Sequence, residues 1–203
     1  MEIRELGIAG AFEITPKQFP DDRGVFLEWF RREQLETALG RPFPIAQANT
    51  SVSRQGTVRG IHFADVPPSQ AKYVTAMDGA VLDFIVDIRV GSPSFGEWEA
   101  VQLDAESRRA VFVSEGLGHC FVALTESATV SYLVSAPFAA EREHGITPLD
   151  PQLNLPLGLP REALLLSPKD LAAPTLAEAE AAGLLPSWTA AEAFIRSLRE
   201  GAS

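Results

Sequence analysis

The sequence predicts an all-β core followed by a helical tail. Residues 82–89 alternate apolar side chains with mostly charged ones, a period of two that is typical of a β-strand. More short β-prone segments follow at regular intervals with turns between them, a spacing that favours a sandwich or a barrel. After about residue 145 the chain becomes rich in proline, and then in alanine, glutamate and leucine, which favour helices.

The N-terminal part predicts a hairpin-like turn and one short helix. Residues 20–24, Pro-Asp-Asp-Arg-Gly, form a turn signal, and residues 25–30 are strongly β-prone. Residues 31–40 predict a short helix that ends at Gly40, shortly before two prolines.

The middle of the chain predicts one strand after another. In the 82–89 strand, one face is apolar and the other carries charge, and the charged side chains either face solvent or line a cavity. The strands that follow are predicted at 101–103, 110–113, 121–124 and 130–134. In the tail, Thr175 is a candidate N-cap for a helix from Leu176, and a second helix is predicted from about 189 to 199.

Length and charge exclude several functional classes. The 203 residues suit one domain, with a β core at about 10–150 and the tail at about 151–203. There are 17 lysines and arginines against 27 aspartates and glutamates, a net charge of −10, which argues against nucleic acids and anionic membranes as partners. The chain has one cysteine, no apolar run long enough for a membrane span and no signal-peptide pattern. We therefore expect a cytoplasmic protein without an internal disulfide.

The most polar strand candidate precedes an arginine and a histidine. Its side chains at every second position share one face of an extended strand, namely Gln47, Asn49, Ser51 and Ser53. Such a row either lines a polar cavity or belongs to an exposed edge strand. Arg59 and His62 follow after a turn at Gly56. Because His62 and His119 are isolated from further histidines, the sequence predicts no metal site and no cofactor.

Several segments together resemble the dTDP-4-dehydrorhamnose 3,5-epimerase family of deoxysugar nucleotide epimerases. They include Arg-Gly-Ile-His-Phe at 59–63, Gly-His-Cys-Phe at 118–121 and Leu-Ser-Pro-Lys-Asp at 166–170. The remaining matching segments are 69–74, 87–89 with 92–98, 115–117, Pro174 and 183–186. The resemblance runs from about Ile3 to the C-terminal helix, and the order and spacing of the segments make it specific.

The resemblance implies a fold, a substrate and an assembly. The fold would be a cupin-type jelly-roll barrel that holds no metal, and two copies would form a homodimer by strand exchange or sheet pairing. The substrate would be a dTDP-4-keto-6-deoxyhexose, inverted at C3 or at both C3 and C5 in deoxysugar biosynthesis.

The resemblance also implies roles for individual residues. His62 corresponds to the catalytic base, Asp170 to the carboxylate that orients it, and Tyr132 to the proton donor. The positions that correspond to substrate contacts are Arg23, Glu28, Gln47, Asn49, Arg59, Lys72, His119, Glu143 and Lys169.

Three positions depart from the common family pattern. Phe138 stands where many members have a tyrosine that stacks on thymine, so it keeps the stacking face and lacks the hydroxyl. Gly118 and Cys120 replace the commoner alanine and glycine around His119. These changes leave open whether one carbon or two are inverted, and we expect Cys120 to be a small buried residue without a catalytic role.

The chemistry of such a reaction needs a base, an acid and a stabilised enolate. We expect His62 to take the proton next to the ketone, Tyr132 to return one on the opposite face, and Lys72 to stabilise the enolate oxygen. Two alternatives remain: a dTDP-keto-sugar isomerase on the same scaffold, which returns the proton to another atom, and a non-catalytic nucleotide-sugar-binding jelly-roll module.

Overall fold

The computed structural model describes residues 1–201. Its elements are thirteen strands and four α-helices. In chain order they are β1 (Glu2–Glu5), β2 (Ala11–Thr15), β3 (Gln18–Asp21), β4 (Gly24–Leu27), α1 (Arg32–Leu39), β5 (Gln47–Arg54), β6 (Val58–Ala64), β7 (Lys72–Asp78), β8 (Ala80–Val86), β9 (Trp98–Asp104), β10 (Ala110–Val113), β11 (Gly118–Ala123), β12 (Ser127–Val134), β13 (Glu143–Gly145), α2 (Pro168–Leu171), α3 (Leu176–Ala181) and α4 (Trp188–Glu200).

Two antiparallel sheets form the body of the protein. A six-stranded sheet has the order β1-β2-β10-β7-β12-β5, and a five-stranded sheet has the order β13-β6-β11-β8-β9. The two strands β3 and β4 form a separate hairpin. Chain neighbours are often in opposite sheets, as β5 and β6 are, which is the connectivity of a jelly roll. The predicted cupin-type jelly-roll barrel is confirmed.

Both sheets are covered on both faces. Val74, Ile85 and Val111 belong to the core between the sheets, whereas Phe84 belongs to a second cluster formed with the proline-rich tail. A third cluster packs α1 against the outer face of the six-stranded sheet through Leu35. Each such fully buried side chain contributes roughly 1.5–3 kcal/mol by leaving water. The proline-rich tail therefore serves as the outer cover of the sheet that carries β6.

The charged face of the predicted 82–89 strand is buried, which excludes exposure to solvent. Phe84 and Val86 face the tail, and Asp83 points to the other side of the strand, where it is fully buried. The charged face of this strand is therefore directed towards the interior of the protein. The strand itself ends at Val86, three residues before the end of the predicted segment.

The helical predictions hold with small shifts. α1 ends where Gly40 adopts the left-handed conformation with φ of 61°, and Thr175 caps α3 in a capping box with Glu178.

The predicted strand at 25–30 is shorter, because β4 ends at Leu27. α2 was not predicted, although Ser167 as N-cap and Pro168 at N1 are its start signals. Within residues 1–201, no helix has the length and apolarity that a bilayer crossing requires.

Candidate active site

A cavity of about 590 Å³ lies between the two sheets. Eleven of the thirteen residues expected to contact or convert substrate line it: Gln47, Asn49, Arg59, His62, Lys72, His119, Tyr132, Phe138, Glu143, Lys169 and Asp170. Strands of both sheets and the short helix α2 contribute to this set. The fold therefore gathers residues from distant parts of the sequence around one space.

The polar row on β5 lines the cavity, and β5 is also an edge strand. Gln47, Asn49 and Ser51 face inwards, and the Gln47 amide donates to Oδ1 of Asn49 at 2.6 Å. Val52, on the opposite face, is 66% exposed. The row itself lines the cavity, and the exposed side of this edge strand is its opposite face. Ser53 continues the row at a buried position and accepts a hydrogen bond from Arg59 Nε at 3.1 Å.

A β-bulge in β6 directs Arg59 and His62 into the same cavity. Three positions apart, they would point to opposite faces of a regular strand. The pairing with β11 shifts between His119, opposite His62, and Phe121, opposite Arg59, so β6 contains one extra residue. Gly60 allows this with φ of 122°, and a Cβ there would lie 2.4 Å from the carbonyl oxygen of His119.

His62 is braced by a buried carboxylate. Its Nε2 lies 2.7 Å from Oδ1 of Asp170, which is 5% exposed. Ser167 donates to the other carboxylate oxygen at 2.8 Å and accepts from the Asp170 N–H as the N-cap of α2. Burial raises the pKa of Asp170, but the bond with His62, the His62 charge and Ser167 together outweigh it, and the pKa is below its usual value.

A second histidine–aspartate pair lies deeper in the cavity. His119 Nε2 is 2.8 Å from Oδ2 of Asp83, and Oδ1 of Asp83 has no protein partner within the described residues. Burial raises the pKa of Asp83, against the opposing effects of His119 and Lys72. The pKa of Lys72 is below its usual value, because burial lowers it by more than the charges of Glu143 and Asp83 raise it. Sequence reasoning missed Asp83, although a charged residue within a buried apolar strand was a usable signal.

Tyr132 faces the cavity from the opposite sheet. It is on β12, opposite Asn49 of β5 and Val74 of β7, whereas His62 is on the five-stranded sheet. Desolvation raises the pKa of Tyr132, and Glu143 adds to this effect while Arg59 opposes it. The phenol is therefore protonated at neutral pH and can donate a proton.

The mouth of the cavity carries an exposed ring and exposed charges. Phe138 is 63% exposed, and its N–H donates to Oε1 of Gln47 at 3.3 Å. Lys169 belongs to α2, next to Asp170, and Glu143 begins β13. His144 also lines the cavity and was not among the predicted site residues.

Arg23 and Glu28 are not in the cavity of their own chain. The Arg23 side chain is 90% exposed on the β3–β4 hairpin, where it pairs with Asp21 at 2.6 Å. Glu28 follows the hairpin and lies 3.6 Å from Arg31. The physical reason is that the hairpin forms its own small sheet, apart from the two sheets that enclose the cavity.

The position of Cys120 explains its chemical character. Cys120 is fully buried beside Gly60, and burial raises the pKa of its thiol, as expected for an unreactive residue.

In the part of the chain from 1 to 201, no group of three or more histidines, cysteines or carboxylates is placed to hold a metal ion. Independence from metals stays a prediction.

Comparison with known proteins assigns the chain to a family. A family model described as dTDP-4-dehydrorhamnose 3,5-epimerase matches residues 5–178. The chain is 54% identical to the dTDP-4-dehydrorhamnose 3,5-epimerase of Mycolicibacterium smegmatis over 98% of each chain. It is also 54% identical to the dTDP-4-dehydrorhamnose 3-epimerase of Streptomyces niveus, over 95% of this chain and 92% of the relative.

A solved structure gives the same assignment. The 3′-monoepimerase of Streptomyces bikiniensis in complex with dTDP-quinovose superimposes with a TM-score of 0.92 and 46% identity. The match covers 97% of this chain and 98% of the other. The chain therefore belongs to the dTDP-4-dehydrorhamnose 3,5-epimerase family.

Proposed function

We propose that this protein is an epimerase that inverts C3 of a dTDP-4-keto-6-deoxyhexose in deoxysugar biosynthesis. The observation that carries the proposal is the single cavity in which the Asp170-braced imidazole of His62 and the phenol of Tyr132 come from opposite sheets. Inversion next to a ketone needs a base on one face of the sugar and an acid on the other. The named activities of the relatives support the same reaction.

Removal of the C3 proton is assigned to His62. Because the lowered pKa of Asp170 keeps it ionised, its oxygen accepts the Nε2–H of the imidazole. Nδ1 is then the unprotonated nitrogen and accepts the proton from C3. The electron pair of the broken C–H bond moves to the C4 oxygen and forms an enolate, and the resulting imidazolium is stabilised by the Asp170 charge.

Stabilisation of the enolate is assigned to Lys72. Lys72 lines the cavity, where desolvation lowers its pKa and the charges of Glu143 and Asp83 partly offset this by favouring the ammonium. A positive charge in a site shielded from water stabilises a developing oxyanion by a few kcal/mol, on the order of 2.7–4. His119, held by Asp83 at 2.8 Å, also lines the cavity.

Return of a proton is assigned to Tyr132. Its phenol donates to C3 from the face opposite His62, the enolate collapses to the ketone, and the configuration is inverted. Exchange with solvent then removes the proton from His62 and restores the one on Tyr132. Both groups are thereby ready for another turnover.

Binding of the nucleotide is assigned to the cations and the ring near the mouth. Arg59 and Lys169 would neutralise the diphosphate, and Phe138 would stack on thymine. The Arg59 guanidinium is oriented by Ser53 at 3.1 Å. Concentrating cations in one cavity lets a chain with a net charge of −10 bind a dianion.

The protein is further proposed to act as a homodimer that completes the site. Arg23 and Glu28 correspond to substrate contacts, yet both are outside the cavity of their own chain. The hairpin that precedes Glu28 also exposes apolar side chains, with Phe19 46% and Phe26 68% exposed. An exposed apolar hairpin suits contact with a second copy. Insertion next to the partner's cavity would explain both observations.

Proton NMR in deuterium oxide tests the reaction directly. dTDP-4-keto-6-deoxyglucose is incubated with the protein, and the C3 and C5 signals are followed. Loss of the C3 signal with inversion supports a 3-epimerase, and loss of both signals supports a 3,5-epimerase. A ketone that moves to C3 would indicate the isomerase instead. Protons retained at both carbons would contradict the proposal and leave a binding module.

A further inference from the structure

His144 has no role in the proposed reaction, yet two contacts hold its ring beside the cavity. Its Nε2 lies 2.7 Å from Oδ1 of Asp65, and its ring packs on Phe63 with centroids 5.4 Å apart. Phe63 belongs to β6, Asp65 directly follows β6, and His144 is the middle residue of β13. The Asp65–His144 pair therefore joins β13 to the loop that follows β6.

The loop at the Asp65 end is fixed to the protein. The Ser69 N–H donates to the Asp65 carbonyl oxygen at 2.7 Å. Ser69 is 5% exposed, and its hydroxyl accepts from the Gly116 N–H at 3.2 Å. Asp65 is thus a firm anchor, although its side chain is 47% exposed.

The segment 136–143, here called the mouth segment, is attached to this same loop at both ends. At its start, Gln70 donates to the Ala136 carbonyl oxygen at 2.7 Å. At its end, the Asp65 N–H donates to the Arg142 carbonyl oxygen at 3.0 Å. Between these attachments Phe138 projects with 63% of its surface exposed, and the segment closes with Glu143. The attachments to the loop therefore help to position both side chains, together with the Phe138 N–H bond to Gln47 and the pairing of Glu143 with Ala64.

We infer that Asp65 and His144 are a positioning pair that holds the mouth segment in the geometry that binds the nucleotide. The inference rests on the proposed function, since it assigns Phe138 and Glu143 to the ligand. The pair itself acts through those residues. Holding a binding segment in place before the ligand arrives lowers the entropy lost on binding and so increases affinity.

Variants of Asp65 and His144 separate the effect of their hydrogen bond from the effect of the His144 ring packing on Phe63. His144→Phe keeps a ring against Phe63 and removes the bond to Asp65, and Asp65→Ala removes the acceptor. Asp65→Asn keeps a neutral acceptor and is the conservative rescue. Glu13→Ala is the matched control, since it removes a carboxylate paired with Arg4 and Arg109 away from the cavity.

Two measurements are made on the full-length protein: calorimetric affinity for dTDP, and hydrogen–deuterium exchange of peptides that cover 136–143. We expect His144→Phe and Asp65→Ala to weaken dTDP binding roughly two- to fivefold, the scale of one exposed pair. Both should speed exchange in the mouth segment and raise KM with kcat retained. The double variant should be no weaker than either single one, and Asp65→Asn and Glu13→Ala should resemble the parent.

Two results would overturn the inference. One is that His144→Phe and Asp65→Ala bind dTDP as tightly as the parent and show the parental rate of hydrogen–deuterium exchange in the mouth segment. The other is an equal loss in Glu13→Ala, which would indicate general destabilisation. A parent protein that does not bind dTDP would contradict the proposed function itself, and the inference with it, so the two failures are distinguishable.

Discussion

His62 and Asp170 are 108 positions apart in the sequence, and their side chains meet at 2.7 Å. The carboxylate is buried, ionised and fixed by Ser167 at the start of α2. A carboxylate in this position determines which imidazole nitrogen carries the proton and favours the imidazolium once it forms. This geometry supports the proposed role of His62 as the base, with its tautomer set by Asp170 before the substrate arrives.

Loss of the Tyr132 hydroxyl should affect inversion more than deprotonation. In Tyr132→Phe, His62 still removes the C3 proton, so deuterium enters from solvent, but the donor on the opposite face is gone. We expect epimerisation to fall by about 10²–10³-fold, the usual scale of general acid catalysis, with a smaller loss of exchange at C3. Proton NMR of both processes in one sample provides the comparison. Equal losses in the two would exclude Tyr132 as the donor.

The alkaline limit of the reaction should come from Lys72. Burial lowers its pKa, so its ammonium loses a proton below the free-lysine value of about 10.4, whereas the pKa of Tyr132 is raised above its ordinary value of about 10. Because the pKa of Lys72 is lowered and that of Tyr132 is raised, we expect the alkaline fall to follow the loss of the Lys72 cation from the enolate site. Lys72→Arg should move the alkaline fall in C3 exchange to higher pH, because a guanidinium stays charged.

The control for Lys72 is the exposed lysine at the cavity mouth. Lys169→Arg should leave the alkaline fall where it is in the parent. If the fall in C3 exchange at alkaline pH stays at the parental pH in Lys72→Arg, the titration belongs to another group.

Gly60 should be required for the bulge that places Arg59 and His62 together. In Gly60→Ala, the new Cβ would lie 2.4 Å from the His119 carbonyl oxygen and 2.7 Å from Cys120 Cα, so the two strands would have to separate. We expect a loss of about 3 kcal/mol or more in the free energy of unfolding, measured by urea denaturation.

Gly24→Ala separates crowding from backbone strain. Gly24 has a similar φ of 133°, but nothing lies within 4 Å of an added Cβ. We expect a smaller loss of about 1–2 kcal/mol from strain alone. Equal losses in the two variants would show that the close approach of β6 and β11 is unimportant.

Arg23 should act on the cavity of a partner subunit. Arg23→Ala is expected to be weakly active alone, and His62→Ala inactive. Mixed by unfolding and refolding together, they should recover roughly a quarter of parental activity, since half of the dimers would then be heterodimers with one complete site each. No recovery in verified heterodimers would place Arg23 outside the partner's site.

Local alternation and turn signals were sufficient for an all-β core with a helical tail, whereas the jelly-roll barrel followed from the resemblance. For the polar face of β5 the pattern left two possibilities, and the structure places Gln47, Asn49 and Ser51 at the cavity. Asp170 was found only through resemblance, since no local pattern links it to a histidine 108 positions away. The bulge at Gly60 depends on contact with β11, and the exposed position of Arg23 depends on how a hairpin leaves the barrel. These features arise from tertiary contacts that no short window of sequence contains.

The decisive variant is His62→Ala, and its readout is the rate at which C3 of dTDP-4-keto-6-deoxyglucose takes up deuterium from solvent. This uptake should be abolished, while the affinity for dTDP stays close to that of the parent. Deuterium uptake at the parental rate in a variant that binds dTDP normally would contradict the assignment of His62 as the base.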